Sequence, residues 1–254
     1  QTCRQNKIHF PASGNTKQTQ TSKQTSKQTN KQTNRQTDRP TDRQTERIQI
    51  LNYIDLDDPS IEEYKKLEDG YASELYELLH FRNLYGPPMS VSKSWNEIAK
   101  LSLGDILIMG NDDQEYQTQY WDTTLEGEVN KYPDDIYCAW FEDKINGPKH
   151  CAFPIISRKW YDTVGYFAPG VFNFGYNDTW VYDIAKRVGR THFIPDVVVE
   201  HKHFSKGKSE MDDTYARNRT QEKGNLYAKD KIIFEQTADE RQKDADKLLD
   251  MIGL

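Results

Sequence analysis

Two adjacent carboxylates stand directly after an apolar run in the segment GDILIMGNDDQEY, residues 104–116. The run from Ile106 to Met109 is short and flanked by glycine, a pattern that predicts a buried strand. Asp112 and Asp113 then lie at the carboxyl end of that strand, where open α/β sheets bind their ligands. Because Mg²⁺ and Mn²⁺ prefer oxygen ligands, these two side chains predict a site for a cation. A solvent-facing turn after a strand is the alternative.

A third carboxylate begins a predicted helix in the segment YNDTW, residues 176–180. Trp180, Ile184 and Val188 recur at the spacing of one helix face. Asp178, at the start of this helix, has two interpretations. It can cap the helix, and it can also take a proton from a hydroxyl group as a general base.

Two histidines end the last predicted strand in the segment FIPDVVVEHKHF, residues 193–204. The apolar run from Val197 to Val199 predicts a core strand, and alternation along it places His201 and His203 on one face. Imidazole is a common metal ligand, so either histidine can join the predicted cation site. A solvated pair at the sheet edge is the alternative. A zinc site would need a third nitrogen or sulfur ligand, and none lies at a suitable spacing.

Bulk composition narrows the classes of partner. The formal net charge of -6 argues against nucleic acid, because phosphate binding needs a basic face. The sequence has no apolar run near the roughly 20 residues of a membrane span and no signal-peptide pattern, so we expect a cytoplasmic protein. Cys3, Cys138 and Cys151 form neither an even framework nor a CxxC motif, which predicts reduced thiols.

The first 46 residues differ in composition from the rest of the chain. A basic residue recurs at every fourth position from Lys23 to Arg47, within a repeat rich in Gln and Thr. Threonine and asparagine are weak helix formers, and the repeat has no apolar face that could pack against a core. We therefore predict that residues 1–46 are a disordered, low-complexity tetrapeptide repeat.

From residue 47 onward, predicted strands and helices alternate. A predicted strand runs from Ile48 to Ile54, and two helices follow with Ser60 and Ser92 as N-caps. The strand at 106–109 and a helix over residues 120–129 come next. This order of strand, helix and strand is typical of a parallel α/β unit.

The second half of the folded region has a different pattern. Asn146 and Gly147 lie between two apolar runs, and an Asn-Gly pair in that setting is a strong signal for a β-hairpin. Ser157 then opens a short helix that ends before Gly165. We expect residues 238–254 to form a helical tail that packs loosely.

Three segments, in this order, resemble motifs of the family-2 nucleotide-diphospho-sugar glycosyltransferases of the GT-A fold. GDILIMGNDDQEY is similar to the acidic metal-binding motif after a core strand, and GYFAPGVFNFGYNDTWVYDIAKRVG to the acceptor-side segment whose acidic residue precedes a helix. FIPDVVVEHKHF is similar to the closing strand with a terminal histidine. The resemblance covers about residues 47–234. It implies an α/β fold, GT-A and Rossmann-like, with a mixed central sheet flanked by helices and a hairpin in the acceptor half.

The resemblance also implies an activity, that of an inverting glycosyltransferase. Such an enzyme moves a sugar from a nucleotide-diphosphate donor to an acceptor hydroxyl. A Mn²⁺ or Mg²⁺ ion on the diphosphate is implied at Asp113 and His201, with His203 as the competing ligand. Asp178 is implied as the base that takes the acceptor's proton.

Further residues are implied on the two sides of the reaction. On the donor side these are Asp112, the helix residue Asn96, and one of the aspartates after the first strand, of which we favour Asp57 over Asp55 and Asp58. On the acceptor side the candidates in the predicted hairpin are Trp140, Asp143 and His150. The acceptor is an unknown glycan, lipid or protein.

The repeat occupies the position where the resemblance implies an initial strand and loop that hold the nucleotide base. We therefore expect residues 47–237 to form a glycosyltransferase-like domain that lacks its first strand. A catalytically inactive, truncated relative that binds nucleotide or glycan, or is a non-functional remnant, is the main alternative. A glycoside hydrolase with two carboxylates is a third, although it would need neither the metal motif nor the terminal histidine.

Overall fold

The computed structural model describes residues 48–73, 79–209 and 225–254. The predicted disordered repeat, residues 1–46, lies outside the described residues, and so does Cys3. The expected lack of a first strand concerns the same N-terminal segment. None of the described helices is both long enough and apolar enough to cross a membrane.

A small parallel sheet opens the described chain. Strand β1 (Ile48–Asp55) is followed by helix α1 (Ile61–Ser73) and strand β2 (Leu79–Gly86), and the two strands pair in parallel. β2 was not predicted, because its residues do not alternate clearly between apolar and polar types. Its buried Asn83 accepts a hydrogen bond at 3.0 Å from Asn52 on β1. A polar pair of this kind stabilises the strand but adds no apolar periodicity from which the strand could be predicted.

A mixed sheet of five strands forms the centre of the remaining chain. β5 and β7 run parallel, and the other neighbouring strands are antiparallel. The predicted mixed α/β architecture is thus confirmed at this coarse level. In the spatial order of the sheet, the strands are β3 (Ile106–Ile108), β6 (Ile155–Ser157), β5 (Cys138–Glu142), β7 (Thr191–His201) and β4 (Gln114–Tyr116).

Helices pack on both faces of this sheet because its central strand β5 is apolar on both sides. Cys138 and Trp140 point into one core cluster, whereas Ala139 and Phe141 point into the other, as strand alternation requires. The helices are α2 (Val91–Leu101), α3 (Trp121–Val129), α4 (Arg158–Val164), α5 (Asn177–Val188), α6 (Leu226–Gln236) and α7 (Ala238–Ile252).

Two expectations about helices need correction. α2 begins at Val91 after Ser90, whereas Ser92 is buried inside the helix and donates to the carbonyl of Phe172 at 3.0 Å. The helical tail does not pack loosely, because Ala245 and Leu248 on α7 are completely buried in the core cluster.

The predicted hairpin is present in altered form. β5 and β6 pair as antiparallel neighbours, but Asn146 and Gly147 do not form a two-residue turn. Residues 147–149 instead form a short 3-10 helix. Asp143 organises this connection by accepting hydrogen bonds from the backbone N–H groups of Ile145 at 2.8 Å and Asn146 at 2.6 Å. A side chain that satisfies successive backbone donors replaces the tight turn.

Candidate active site

The first candidate cluster joins the turn after β3 to the end of β7. β4 begins immediately after Asp113, and its first residue, Gln114, pairs with His201 in antiparallel register. The backbone N–H of Lys202 also donates to the carbonyl oxygen of Asp113 at 2.8 Å. As a result, Oδ2 of Asp113 lies 2.9 Å from Nε2 of His201. The structure thus brings together the two residues predicted as metal ligands.

Each member of this pair keeps a second polar atom that is buried. Oδ1 of Asp113 and Nδ1 of His201 have no hydrogen-bond partner among the described residues. Only 20% of the Asp113 side chain and 12% of the His201 side chain are exposed. The ring of Phe153 also packs edge-on against His201, with the ring centroids 4.9 Å apart. Buried polar atoms without partners are rare, and a bound ion is one feature that satisfies such atoms.

A divalent cation fits this pair in its donor chemistry. Carboxylate oxygen suits Mg²⁺ and Mn²⁺, and imidazole is a ligand of many divalent metals. In the described part of the chain, no group of three or more His, Cys, Asp or Glu side chains could hold a metal. Asp113 and His201 would therefore supply two ligands, and phosphate oxygens and water would supply the rest, as is common for Mg²⁺ sites.

The competing ligand His203 has a different role in the described structure. It is the N-cap of a short 3-10 helix at 204–206, where Nδ1 accepts a hydrogen bond from the N–H of Ser205 at 3.1 Å. Its ring packs edge-on against His201 at a centroid distance of 5.0 Å. His201, and not His203, is the histidine that meets Asp113.

Asp112 lies in a turn and not on a strand. It is exposed, whereas the neighbouring Asp113 is partly buried. Gln114 holds this turn, because its Oε1 accepts the N–H of Asn111 at 2.8 Å. The indole N–H of Trp95 on α2 also donates to the carbonyl of Gly110 at 3.2 Å. The donor role of Asp112 stays a prediction.

The second candidate cluster lies at the start of α5. Asp178 stands in the first turn of this helix, while the N-cap residue is Tyr176, whose side chain makes no capping bond. Oδ1 of Asp178 accepts the N–H of Thr179 at 2.7 Å. Oδ2 lies 2.7 Å from Nε2 of His150, in the connection between β5 and β6. Asp178 is therefore not the helix cap, and it pairs with another of the predicted site residues.

The electrostatics of this pair follow from its partial burial. About a third of each side chain is exposed, 31% for His150 and 28% for Asp178. The hydrogen bond to Asp178 raises the pKa of His150 above its ordinary value of 6.5, although burial acts in the opposite direction. The negative charge of Asp143 adds to the increase.

Asp143 and Trp140 support the connection that carries His150. Asp143 is buried, and burial alone would raise its pKa, but hydrogen bonds from Asn146, Ile145 and Gly147 outweigh this effect and lower it. Trp140 is also buried, and its indole N–H donates to the carbonyl of Gly147 at 3.0 Å. Both side chains are thus engaged with the protein's own backbone. Their predicted contacts with an acceptor stay predictions.

Asp143 also connects the two clusters. Its backbone carbonyl accepts the N–H of His201 at 3.1 Å, while its side chain holds the start of the connection that leads to His150. The end of β5 therefore positions one residue of each His–Asp pair.

The remaining donor-side residues are less closely associated with these clusters. Asp57 is exposed in the turn after β1, which belongs to the smaller sheet. Asn96 on α2 accepts the N–H groups of Phe167 and Ala168 at 2.8 and 3.1 Å and donates to the carbonyl of Ala168 at 2.6 Å. It also lines an open groove of about 360 Å³. The donor roles of Asp57 and Asn96 stay predictions.

One residue that organises the site was missed at the level of sequence. Asp230 on α6 is completely buried and accepts backbone N–H groups of three successive residues just before α5, at 3.1, 2.7 and 2.9 Å. It thereby holds the loop that leads to Asp178. A single aspartate between two lysines of a helix gives no signal, because its partners lie more than 50 positions away in the chain. Those partners are Asn173, Phe174 and Gly175.

Comparison with known proteins gives a distant structural match. No protein-family model matches the chain, and no curated protein matches it. One solved structure with a similar arrangement is a mannosyltransferase from Pyrobaculum calidifontis in complex with GDP-Man and Mn²⁺, with 14% sequence identity and a TM-score of 0.42. The match covers 61% of this chain and 56% of the mannosyltransferase chain, so this chain spans little more than half of the mannosyltransferase's length. At this TM-score the similarity by itself assigns neither a fold family nor an activity.

Proposed function

We propose that the chain is a nucleotide-sugar glycosyltransferase whose donor site is built around Asp113 and His201. The observation that carries this proposal is the meeting of these two residues, 88 positions apart in the sequence, with one unpartnered buried polar atom on each. Carboxylate and imidazole are ligand types that a divalent cation accepts beside the oxygens of a diphosphate. A cation site here also agrees with the resemblance of the surrounding segments to metal-binding and closing-strand motifs.

The donor end of the site has to handle the leaving group. When the bond between the sugar and the diphosphate breaks, negative charge builds on the diphosphate. A Mn²⁺ or Mg²⁺ ion supplies positive charge at that position when bound. Asp113 and His201 would hold the ion, and Asp112 is our candidate for the contact with the nucleoside or sugar.

The acceptor end of the site has to take a proton. In an inverting transfer, the acceptor oxygen attacks the anomeric carbon on the face opposite the diphosphate, and a carboxylate takes the hydroxyl proton as the new bond forms. Asp178 is our candidate for that base, because it is partly exposed at the start of α5 and is held by hydrogen bonds on both oxygens. No covalent intermediate is needed.

A transfer assay on the full chain tests this proposal. UDP- and GDP-sugars are incubated with simple pyranosides of glucose, mannose and N-acetylglucosamine, with Mn²⁺ or with EDTA. We expect release of nucleoside diphosphate only in the presence of metal, with inverted configuration at the anomeric carbon of the product. If a demonstrably folded chain releases nucleoside diphosphate from none of the donors, the proposed enzymatic activity is rejected. If the chain instead cleaves glycosides equally well in the presence of EDTA, it is a hydrolase.

A further inference from the structure

His150 and Asp178 make the closest contact between a histidine and a carboxylate among the predicted site residues. Their 2.7 Å separation joins Nε2 of the ring to Oδ2 of the carboxylate. The ring is also fixed from the side, because Tyr182 on α5 packs edge-on against it at a centroid distance of 5.7 Å. The imidazole is therefore held by two residues of α5, and one of them is the candidate base.

Both carboxylate oxygens of Asp178 are held by contacts within the fold. The side chain stands in the first turn of α5, where Oδ1 accepts the N–H of Thr179 at 2.7 Å. Oδ2 is thus the oxygen on which the acceptor's proton would be placed, and it is the oxygen that faces His150.

We propose that His150 is the positioning residue of Asp178 and that its protonation state decides whether Asp178 can act as a base. This inference rests on the proposed glycosyltransferase function. With a neutral ring, Nε2–H donates to Oδ2 and fixes the direction of the carboxylate. A protonated ring forms an ion pair with the carboxylate and lowers its affinity for a further proton.

The proton and bond balance of the step is simple. The O–H bond of the acceptor breaks and its proton goes to Asp178, while the acceptor oxygen forms a bond with the anomeric carbon. The bond between that carbon and the diphosphate oxygen breaks, and its electron pair leaves with the diphosphate. His150 gains and loses no proton in this step, so the ring acts through the carboxylate.

The charges around the ring determine the pH range of the effect. Asp178 and Asp143 favour the protonated ring, whereas Lys186 on α5 opposes it. The uncharged groups beside the ring are Tyr182 and the buried thiol of Cys151. Burial raises the pKa of that thiol well above its ordinary value. Because the pKa of His150 lies above 6.5, the ring becomes protonated, and activity falls, as the pH decreases through a value above 6.5.

Two readouts on the full chain test this inference. Proton NMR titration of the histidine rings, with the signal of His150 assigned from its absence in His150→Gln, measures the coupling without substrate. We expect the pKa of His150 to fall in Asp178→Asn. An unchanged value would overturn the proposal.

The pH profile of kcat is the second readout. In His150→Gln, whose amide can still donate to Oδ2 but does not titrate, we expect the acidic decline of kcat to move down by about one pH unit. His150→Ala loses the donor as well, so its kcat should fall roughly tenfold or more, and further than that of His150→Gln, with an unchanged KM for the donor. His192→Gln is the matched control, because His192 pairs with Glu128 at 2.8 Å elsewhere in the fold.

The outcomes separate this inference from the proposed function. An active wild-type chain whose acidic decline is the same in His150→Gln would overturn the role of His150 and leave the transferase intact. A chain that is inactive with every donor would remove the transferase and, with it, the role of His150 in catalysis. Equal pH shifts in His150→Gln and His192→Gln would also count against the proposal.

Discussion

The two His–Asp pairs of the molecule have the same contact but different surroundings. In both, Nε2 of a histidine faces Oδ2 of an aspartate, at 2.9 Å for His201 and Asp113 and at 2.7 Å for His150 and Asp178. The first pair is more buried, and each residue keeps an unpartnered polar atom. In the second pair, the other carboxylate oxygen is hydrogen-bonded, and the side chains are more exposed.

This difference separates two kinds of chemistry. A buried carboxylate and imidazole, each with a polar atom that no described residue satisfies, offer ligand types that suit a divalent ion. A more exposed pair with satisfied oxygens can exchange a proton with a substrate hydroxyl. In the proposed function, the same two residue types serve ion binding in one place and proton transfer in the other.

The largest expected effect comes from removing the base. Asp178→Asn keeps the size of the side chain but removes its ability to take a proton, so we expect kcat to fall by roughly 10²–10⁴-fold. Donor binding should be unchanged, because in the proposed function Asp178 contacts the acceptor and not the metal or the diphosphate. Steady-state kinetics and calorimetric titration of the nucleotide measure the two quantities. Equal losses of kcat and donor binding would show that donor binding and proton transfer are not assigned to separate pairs.

A smaller effect is expected from the residue that holds the loop before α5. Asp230→Ala removes a completely buried carboxylate that accepts three backbone N–H groups, so we expect a loss of roughly 3 kcal/mol in the free energy of unfolding. Urea denaturation measures it, with Asp239→Ala, an exposed carboxylate on α7, as the control. A loss as small as that of the control would mean that Asp230 does not hold this loop.

The smallest effect concerns the packing of α5 against α7. Burial would raise the pKa of Asp183, but its bonds to Arg241 and Arg187 outweigh burial and lower it below 3.8. A carboxylate whose pKa is lower in the folded chain than in the unfolded chain stabilises the fold at pH values above its unfolded pKa. This stability is lost as the pH falls through the lowered pKa. Asp183→Asn should therefore cost about 1–3 kcal/mol at pH 7.

The pH dependence distinguishes this ion pair from simple packing. Urea denaturation of both chains at pH 7 and at successively lower pH should give a difference that shrinks below pH 3.8, the ordinary value for aspartate. A difference that stays constant over this range would mean that the charge of Asp183 contributes nothing.

The sequence predicted the elements whose apolar residues are regularly spaced. α5 was predicted from Trp180, Ile184 and Val188, and all three are buried in the structure. β2 was not predicted, because Asn83 is buried through an amide pair and not through apolar contacts. Sequence spacing reports hydrophobic burial well and buried polar pairs poorly.

The candidate site was predictable in part for a related reason. Asp113 and His201 each follow an apolar strand, so both were candidates, and the antiparallel pairing of β4 with β7 brings them together. The contact between His150 and Asp178 depends on the connection that Asp143 organises, and no pattern in the sequence indicates that geometry. Residue types identified the candidates, and long-range backbone hydrogen bonds decide which of them meet.

Calorimetric titration of GDP and UDP into the full chain tests the central claim most directly. We predict binding that requires Mn²⁺, is lost in Asp113→Ala and is retained in Asp178→Asn. Binding that is equally strong without metal, or that survives in Asp113→Ala, would contradict a metal and diphosphate site at Asp113 and His201. Absence of binding by a folded wild-type chain would contradict the donor site itself.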